Sequence, residues 1–470
     1  DGDDAFGAQY DFEHNTVRPL HPFSNTFCSS GAFFRNGTMF NTGGAESALF
    51  EKVPIQEGFD KIRTSAPGPC PATGCTQDWV DVGATIDVAR WYHSMQTLSN
   101  GEILMVGGSK AGGLVLNTPR VNEPSYEILI DGHSLAAVPF PYLEFTDSDG
   151  PGKSYNLYPA LHLMPNTPDH IFTIIGDQVF IYDYINNKNV TTLPFLPNPR
   201  TFPSSASSVL LPLKASENYR PEILVCGGSS GDAPSPKALN DCGRIHPLDA
   251  EPEWTFEQLP DGPRTMGDAI LLPDGTVFIT NGARLGSGGG VMADDPAFTP
   301  LIYKPDAPVG ERFTIMPATT IPRLYHSVAA LLPTGEILIA GSNPLQQKPT
   351  SAYPTEYRVE VFSPPYMSAP NRPVIASSPA FVKYNSEFTI NVEGAVVGKT
   401  TVILSHPGFS THGVHHGQRM VELTTITTAS GVTTVTSPPS GSVMPPGIYL
   451  LFATVNGIPS EAAWVRLDTI

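Results

Sequence analysis

The side chains of this chain that could carry chemistry share one place in a repeated pattern. Tight-turn glycines recur along the chain, and each stands nine residues after an equivalent position. Counting back from Gly37, Gly101, Gly275 and Gly335 gives, in order, Cys28, Tyr92, Met266 and His326. If these positions meet in the fold, they bring together a thiol, a phenol and an imidazole, with Tyr325 beside that imidazole. This convergence defines a candidate site.

The elements that would position these residues are short strands in repeating units. Runs rich in β-branched residues end in glycine, and most follow turn signals such as Asn-Gly or Asp-Gly. They span residues 39–44, 103–109, 171–176, 223–229, 277–282 and 337–342. Their spacing of roughly 50 to 70 residues is the period of kelch-type propeller blades, which must pack in a ring to bury their faces. Equivalent positions at one end of each inner strand then converge at the central axis.

The repeat stops near residue 370, where proline-rich punctuation marks a boundary. Four short alternating runs follow, at residues 387–392, 400–404, 431–436 and 449–455, and indicate an antiparallel sandwich. We therefore predict an all-β fold: a kelch-type seven-bladed β-propeller over residues 1–368 and a C-terminal immunoglobulin-like β-sandwich over residues 369–470. A loop of the sandwich, residues 406–416, holds four of the 12 histidines: His406, His412, His415 and His416.

Composition excludes several classes of protein. The 27 basic and 45 acidic residues give 27 − 45 = −18, which argues against a nucleic-acid partner. Hydrophobic residues make up 40% of the chain, which is enough for a large core. The sequence contains no uninterrupted run of about 18 apolar residues, so it predicts no membrane-spanning helix. The 43 glycines and 48 prolines show no collagen-like period.

The five cysteines indicate an oxidising compartment. Cys70 with Cys75 and Cys226 with Cys242 are spaced for local disulfides, which leaves Cys28 over. The sequons at Asn36 and Asn189 agree with secretion, as glycosylation candidates. We predict a secreted, extracellular protein whose first residue results from processing.

Each residue taken alone also has a plain structural interpretation. A buried cysteine is usually a small hydrophobe, a tyrosine at a strand start usually packs, and a lone histidine such as His412 usually caps a loop. The pair His415 and His416 indicates metal only weakly, because adjacent strand residues point to opposite faces. His-Glu-x-x-His, phosphate-binding glycine loops and Gly-x-Ser-x-Gly are absent from the sequence.

Taken together, four segments resemble the copper radical oxidases, the family of glyoxal oxidase and galactose oxidase. They are Phe27-Cys28-Ser-Ser-Gly, Arg90-Trp91-Tyr92, Ile321-Pro-Arg-Leu-Tyr325-His326-Ser and Phe409-Ser-Thr-His412. The Arg-Trp-Tyr phrase and the extra cysteines are more similar to glyoxal oxidase. Where galactose oxidase has a tryptophan after Gly-Gly-Ser, this chain has Lys110. The family usually has further strands before Cys28, so either part of the first blade or the strand that closes the ring is expected to be absent or trimmed.

The resemblance implies one copper ion and a Tyr–Cys thioether radical cofactor. Tyr92, cross-linked to Cys28, would be an equatorial ligand and the radical; His326 and His412 would be imidazole ligands, and Tyr325 the axial phenolate and general base.

The implied activity is oxidation of small aldehydes such as glyoxal or methylglyoxal, as hydrates, to carboxylic acids with reduction of O2 to H2O2. A primary alcohol oxidase is the alternative within the family. A non-catalytic kelch-propeller binding scaffold is the alternative from another class. The resemblance also implies a peroxidase as activator and H2O2 consumer. We expect a monomer that binds neither nucleic acid nor membrane.

Overall fold

The computed structural model describes residues 7–50, 53–66, 77–111, 120–144, 156–167, 169–230, 236–289, 292–344 and 352–469. The chain divides into two compact units, one of residues 1–97 and 102–159, the other of residues 98–101 and 160–470. Within the described ranges, no helix is long and apolar enough to cross a membrane.

The first unit contains two propeller-type sheets and two hairpins. The N-terminal hairpin pairs β1 (Gly7–Asp11) with β2 (Thr16–Leu20). The first sheet has the order β3-β4-β7-β8, and the hairpin β5–β6 interrupts it. These strands are β3 (Ser30–Phe33), β4 (Met39–Thr42), β5 (Ala48–Phe50), β6 (Val53–Ile55), β7 (Lys61–Ser65) and β8 (Val80–Thr85).

The second sheet of this unit has the order β9-β10-β11-β12, and β13 also pairs with β11. Its elements are β9 (Ser94–Thr97), β10 (Ile103–Val106), β11 (Ser125–Ile130), β12 (His133–Ser134) and β13 (Val138–Pro139), followed by the helical turn α1 (Pro141–Glu144). A core cluster containing the fully buried Phe40, Ile62 and Ile103 draws its side chains from both sheets, so the two sheets stabilise each other.

The second unit contains four more propeller-type sheets. Three have four strands each and one has three. The first two consist of β14 (Ala160–Leu163), β15 (His170–Ile175), β16 (Gln178–Asp183) and β17 (Lys188–Thr192), then β18 (Ser207–Leu210), β20 (Ile223–Cys226), β21 (Asp241–Ile245) and β22 (Thr255–Gln258). The other two consist of β23 (Asp268–Leu271), β24 (Val277–Thr280), β27 (Leu301–Tyr303) and β28 (Phe313–Ile315), then β29 (Val328–Leu331), β30 (Ile337–Ala340) and β31 (Glu360–Phe362).

Shorter elements lie between these strands. The pair β25 (Ala283–Leu285) and β26 (Asp294–Pro296) forms a hairpin, and 3₁₀ turns span Ala215–Glu217 and Pro365–Ser368. Every glycine-ended run in the sequence overlaps the second strand of a sheet, which confirms the prediction that these runs are strands. Among the described residues there are six such sheets, so the predicted count of seven blades is not confirmed.

The C-terminal β-sandwich shares its core with the propeller-type sheets of the second unit. Its main strands are β32 (Val374–Ser377), β33 (Phe381–Lys383), β34 (Glu387–Glu393), β35 (Thr400–His406), β38 (Arg419–Thr427), β39 (Val432–Thr436), β40 (Gly447–Val455), β41 (Ile458–Pro459) and β42 (Ala463–Asp468). The short strand β19 (Leu213–Lys214) pairs in parallel with β38. Buried Phe172, Val225 and Val421 belong to one hydrophobic cluster, which fixes the sandwich against the sheets.

The histidine-rich segment is not the irregular loop that the sequence predicts. Residues Phe409–Thr411 form β36 and Val414–His416 form β37, a separate two-stranded hairpin. Strand β36 contacts β29, and β37 contacts β18, so the hairpin of the sandwich lies against the first strands of two propeller-type sheets. The ladder satisfies backbone polar groups that a loop would leave buried without partners.

Candidate metal centre

Each propeller-type sheet begins from the same strained backbone position. Two residues before the first strand of each sheet, one residue adopts a left-handed conformation. The six are Cys28 (φ 54°), Tyr92 (62°), Tyr158 (45°), Ser205 (42°), Met266 (56°) and His326 (67°). The nine-residue rule finds four of them and misses Tyr158 and Ser205. Thr167 and Lys214, rather than glycine, stand nine residues after these two, so the turn signal is absent.

Buried arginines hold these left-handed positions in place. A non-glycine residue in this region is strained by about 1–3 kcal/mol, which the surrounding structure must offset. Arg90, two residues before Tyr92, donates from Nη1 to the carbonyl oxygen of Gly107 (2.7 Å) and pairs through Nε with Glu127 (2.7 Å). Both charged side chains of this ion pair are fully buried. Arg323, three residues before His326, makes a similar but less buried pair through Nε with Glu360 (2.8 Å).

The first unit holds the predicted thiol and phenol together. Cys28 and Tyr92 are both buried, and the backbone N–H of Tyr92 donates to the carbonyl oxygen of Cys28 (3.2 Å). The Tyr92 ring lies between two aromatic neighbours, Trp91 (centroids 4.6 Å apart, edge-on) and Tyr158 (5.1 Å). The pair is therefore shielded from water by aromatic side chains.

Trp91, rather than Lys110, contacts the Tyr92 ring among the residues that the structure describes. The Trp91 indole N–H donates to the carbonyl oxygen of Phe27 (3.0 Å), which fixes its plane. Lys110 is 42% exposed, and its ammonium lies 3.3 Å from the carboxylate of Glu123.

The second unit holds a phenol and two imidazoles in one cluster, in which Tyr325 and His412 are buried and His326 is half-buried. The Nε2 atom of His412 lies 3.1 Å from the Tyr325 hydroxyl oxygen. The ring centroids of Tyr325 and His326 are 3.7 Å apart, and those of His326 and His412 are 4.8 Å apart. Phe202, which the sequence did not single out, packs beside Tyr325 (6.3 Å) and His412 (5.8 Å) as the apolar wall of this cluster.

Hydrogen bonds leave one nitrogen of each imidazole directed at the cluster. The Nδ1 atom of His326 lies 2.9 Å from the carbonyl oxygen of Asn343, which can only accept, so Nδ1 carries the proton and Nε2 is the lone-pair donor. In His412, Nδ1 contacts the Thr411 hydroxyl (2.6 Å), while Nε2 faces Tyr325. Burial lowers the pKa of His326 to about 4. Burial, with His326 and His416 nearby, holds the pKa of His412 well below its usual range. Both imidazoles are therefore neutral at neutral pH.

The tip of the β36–β37 hairpin positions His412. His412 (φ 53°) and Gly413 (φ 77°) are the two central residues of the turn, as a type I′ hairpin requires. A Cβ on Gly413 would lie 2.7 Å from the carbonyl oxygen of Gly267, so only glycine fits there. His415 binds Asp268 (Nε2 to Oδ1, 3.0 Å) and so anchors the hairpin to β23.

This donor set fits a copper ion. Two neutral imidazoles and a phenol oxygen provide a nitrogen–oxygen set of the kind that Cu(II) prefers. The ring nitrogens of His326 and His412 lie within 4.8 Å of one another, and Tyr325 is within hydrogen-bond distance of His412. A buried thiol beside a buried phenol, Cys28 and Tyr92, fits a thioether-linked tyrosine cofactor.

The remaining sequence predictions concern cysteines and sequons. The disulfide between Cys226 and Cys242 is confirmed, with sulfur atoms 2.07 Å apart. Cys70 and Cys75 lie outside the described residues. Asn36 and Asn189 are both exposed, as glycosylation would require.

Comparison with known proteins covers nearly the whole chain. The family model for the glyoxal oxidase N-terminus matches residues 4–366, and that for the galactose oxidase-like Early set domain matches residues 372–467. The chain is 38% identical to aldehyde oxidase GLOX of Vitis pseudoreticulata over 97% of its own length and 84% of the relative. It is 34% identical to aldehyde oxidase GLOX1 of Arabidopsis thaliana, over 98% of its own length and 75% of the relative. The structure of a fungal alcohol oxidase in complex with copper has the same fold, with a TM-score of 0.76, 20% identity, and coverage of 98% of this chain and 90% of that one.

Proposed function

The chain belongs to the glyoxal oxidase family of copper radical oxidases, and we propose that it oxidises small aldehydes to carboxylic acids while reducing O2 to H2O2. The observation that carries this proposal is the close cluster of Tyr325, His326 and His412. A kelch-type binding scaffold has no need for two neutral imidazoles close to each other and to one phenol, with one imidazole nitrogen 3.1 Å from its hydroxyl oxygen. The relatives named aldehyde oxidases favour an aldehyde substrate such as glyoxal or methylglyoxal.

In this proposal, His326 and His412 would hold copper through Nε2, and Tyr325 and Tyr92 would hold it through their phenol oxygens. Copper, when bound, supplies a one-electron redox couple and lowers the pKa of its oxygen ligands. The hydrogen bond from His326 to Asn343 fixes the imidazole plane, as partners of metal ligands usually do.

Cys28 and Tyr92 form the second redox group of the proposal. Oxidation of an H–C–O–H unit removes two electrons, and one copper ion accepts only one of them. A tyrosine joined to sulfur by a thioether is easier to oxidise than an ordinary tyrosine, so oxidised Tyr92 can take the carbon-bound hydrogen. The aromatic neighbours Trp91 and Tyr158 support this role because they exclude water from the Tyr92 ring.

Tyr325 is proposed as the general base. Its hydroxyl oxygen lies 3.1 Å from Nε2 of His412, so both atoms could bind the same metal ion, which would favour the deprotonated phenol. Tyr325 would then accept the O–H proton of the aldehyde hydrate. A primary alcohol presents the same H–C–O–H unit, and the fold shared with a fungal alcohol oxidase keeps alcohols as the second candidate substrate class.

We also propose that the protein is secreted, with a propeller over residues 1–368 and a sandwich over residues 369–470. The buried Cys226–Cys242 disulfide and the exposed sequon asparagines support an oxidising, extracellular setting. The two matched family regions, residues 4–366 and 372–467, support the domain boundary. The seventh blade, the peroxidase partner and the monomeric state stay predictions.

The test combines copper analysis with a peroxide assay. Purified protein, loaded with copper and activated with or without a peroxidase, is assayed for H2O2 on glyoxal, methylglyoxal, benzyl alcohol and galactose. We expect one copper per chain and the highest turnover on the two aldehydes. Higher turnover on benzyl alcohol would assign the alcohol class. One copper with no peroxide on any substrate, or no copper at all, would contradict the proposal.

A further inference from the structure

Tyr158 is a buried tyrosine to which the proposed reaction gives no chemical role. It occupies the left-handed position two residues before β14 and is 1% exposed. Bulky residues rarely adopt the left-handed conformation, because it strains the backbone. A need for the tyrosine side chain at position 158 would explain why the chain accepts this strain there. The sequence pattern does not reveal it, because no turn glycine stands in register.

Tyr158 contacts both members of the thiol–phenol pair. Its hydroxyl donates to the carbonyl oxygen of Cys28 (3.0 Å) and lies 3.4 Å from that of Ser29. Its backbone N–H donates to the carbonyl oxygen of Tyr92 (2.8 Å), and its ring packs on the Tyr92 ring. Tyr158 therefore fixes the main chain of Cys28 through its hydroxyl, and the main chain of Tyr92 through its own backbone N–H.

We propose that Tyr158 is a positioning residue that holds Cys28 and Tyr92 in register for thioether formation. The inference rests on the proposed function, since it requires the cross-link to form. In that step, Cys28 loses its S–H hydrogen, Tyr92 loses a ring hydrogen ortho to its hydroxyl, and a sulfur–carbon bond forms. Two electrons and two protons pass to O2, which leaves as H2O2.

The geometry explains why positioning should matter here. Both Cys28 (φ 54°) and Tyr92 (φ 62°) adopt a strained backbone conformation, and a small backbone rotation would turn sulfur and ring apart. The Tyr92 backbone N–H and the Tyr158 hydroxyl share the carbonyl oxygen of Cys28 as acceptor, so removal of the hydroxyl leaves one donor of the two. Bond-forming steps lose rate steeply when the reacting atoms are displaced.

The test follows cross-linking directly. Copper-free parent, Y158F and Y126F are mixed with one equivalent of Cu(II) in air, and the loss of two hydrogens is followed by intact mass under reducing conditions. Tyr126 is the matched control, because it is another buried tyrosine of the same unit whose ring packs on Phe140. We expect Y158F to cross-link roughly two- to tenfold more slowly than the parent, the range for one lost hydrogen bond, and Y126F to match the parent. Y158L, which lacks the ring as well, should be slower than Y158F.

Other outcomes separate the two proposals. A parent that never loses the two hydrogens contradicts the proposed function. A parent that cross-links while Y158F keeps the same rate overturns the role of Tyr158, as does an equal slowing in Y126F, which would reflect packing in general. A second measurement is the position of the absorption band of oxidised Tyr92 in fully cross-linked Y158F. Loss of packing elsewhere in the protein would not change the position of this band. We expect that band to be shifted from the parent position.

Discussion

The Nε2 atom of His412 lies 3.1 Å from the hydroxyl oxygen of Tyr325, although 87 residues separate them along the chain. His412 comes from a hairpin of the C-terminal sandwich, and Tyr325 from the segment that precedes β29. The sandwich therefore contributes a side chain that the propeller-type sheets cannot supply. The cluster of Tyr325 and His412 therefore needs both a propeller-type sheet of the second unit and the sandwich that follows it.

The first prediction concerns the ligand at the hairpin tip. His412→Ala should lose bound copper and peroxide production, because it removes one of the two neutral imidazoles of the cluster. His415→Gln is the matched control on the same hairpin, because its amide N–H can replace Nε2 in the hydrogen bond to Asp268 and so keep the anchor of the hairpin. Copper content by atomic absorption is the measurement. Equal copper loss in both variants would indicate a different ligand set.

Cys28→Ser tests the thiol separately from the metal. Serine is close in size and keeps the buried position, so the variant should fold and retain copper through the second-unit cluster. It cannot form a thioether, and its peroxide production should fall close to background. Intact mass, copper content and turnover are measured on one sample. Parent-like turnover in this variant would remove the thioether from the mechanism.

Tyr325→Phe tests the proposed base. The change removes a hydroxyl but little volume from a buried site, so the fold and most of the copper should remain. Turnover should fall by on the order of 10²–10⁴, the usual effect of losing a general base. The rate is compared at saturating aldehyde with that of the parent. A rate within a few-fold of the parent would place the proton transfer on another group.

The hairpin turn provides a steric test of metal positioning. Gly413→Ala places a Cβ 2.7 Å from the carbonyl oxygen of Gly267, so the His412 tip must move. Moving the His412 imidazole from its position should cost about 1–3 kcal/mol of copper binding free energy. Because about 1.4 kcal/mol corresponds to a tenfold change, copper affinity should weaken by roughly tenfold or more. Gly457→Ala is the control, because Gly457 has a similar φ of 78° and nothing within 4 Å of its added Cβ. An unchanged copper affinity in Gly413→Ala would show that the turn does not position His412.

The last prediction concerns the arginines that precede the left-handed positions. Arg90→Met leaves the buried carboxylate of Glu127 without its ion pair, so the free energy of unfolding should fall by about 3–5 kcal/mol. Arg358→Met breaks a pair with Glu356 whose arginine is 63% exposed, and should cost about 0–1 kcal/mol. Denaturant midpoints of the two variants give the comparison. Similar midpoints would mean that Arg90 does not hold the strand start.

The repeat in the sequence predicts the fold class and most of the site. Turn glycines and β-branched runs are local signals, and they identify the second strand of each of the six sheets. The same register singles out Cys28, Tyr92 and His326, since the left-handed residue stands at a constant distance from the turn. Tyr158 and Ser205 escape because their hairpins lack that glycine, so the conformation is kept while its sequence signal is lost.

The sequence by itself determined the all-β repeat, because turn chemistry and strand alternation act over a few neighbouring residues. It also predicts a boundary near residue 370 and the side chains that would bind metal. The tertiary structure decided which of four nearby histidines faces Tyr325. His412 does so because its turn with Gly413 packs against Gly267, while His415 is drawn to Asp268. It also decided that Trp91 and Tyr158 enclose Tyr92. These outcomes depend on contacts between residues far apart in the chain, and no periodicity along the sequence encodes such distances.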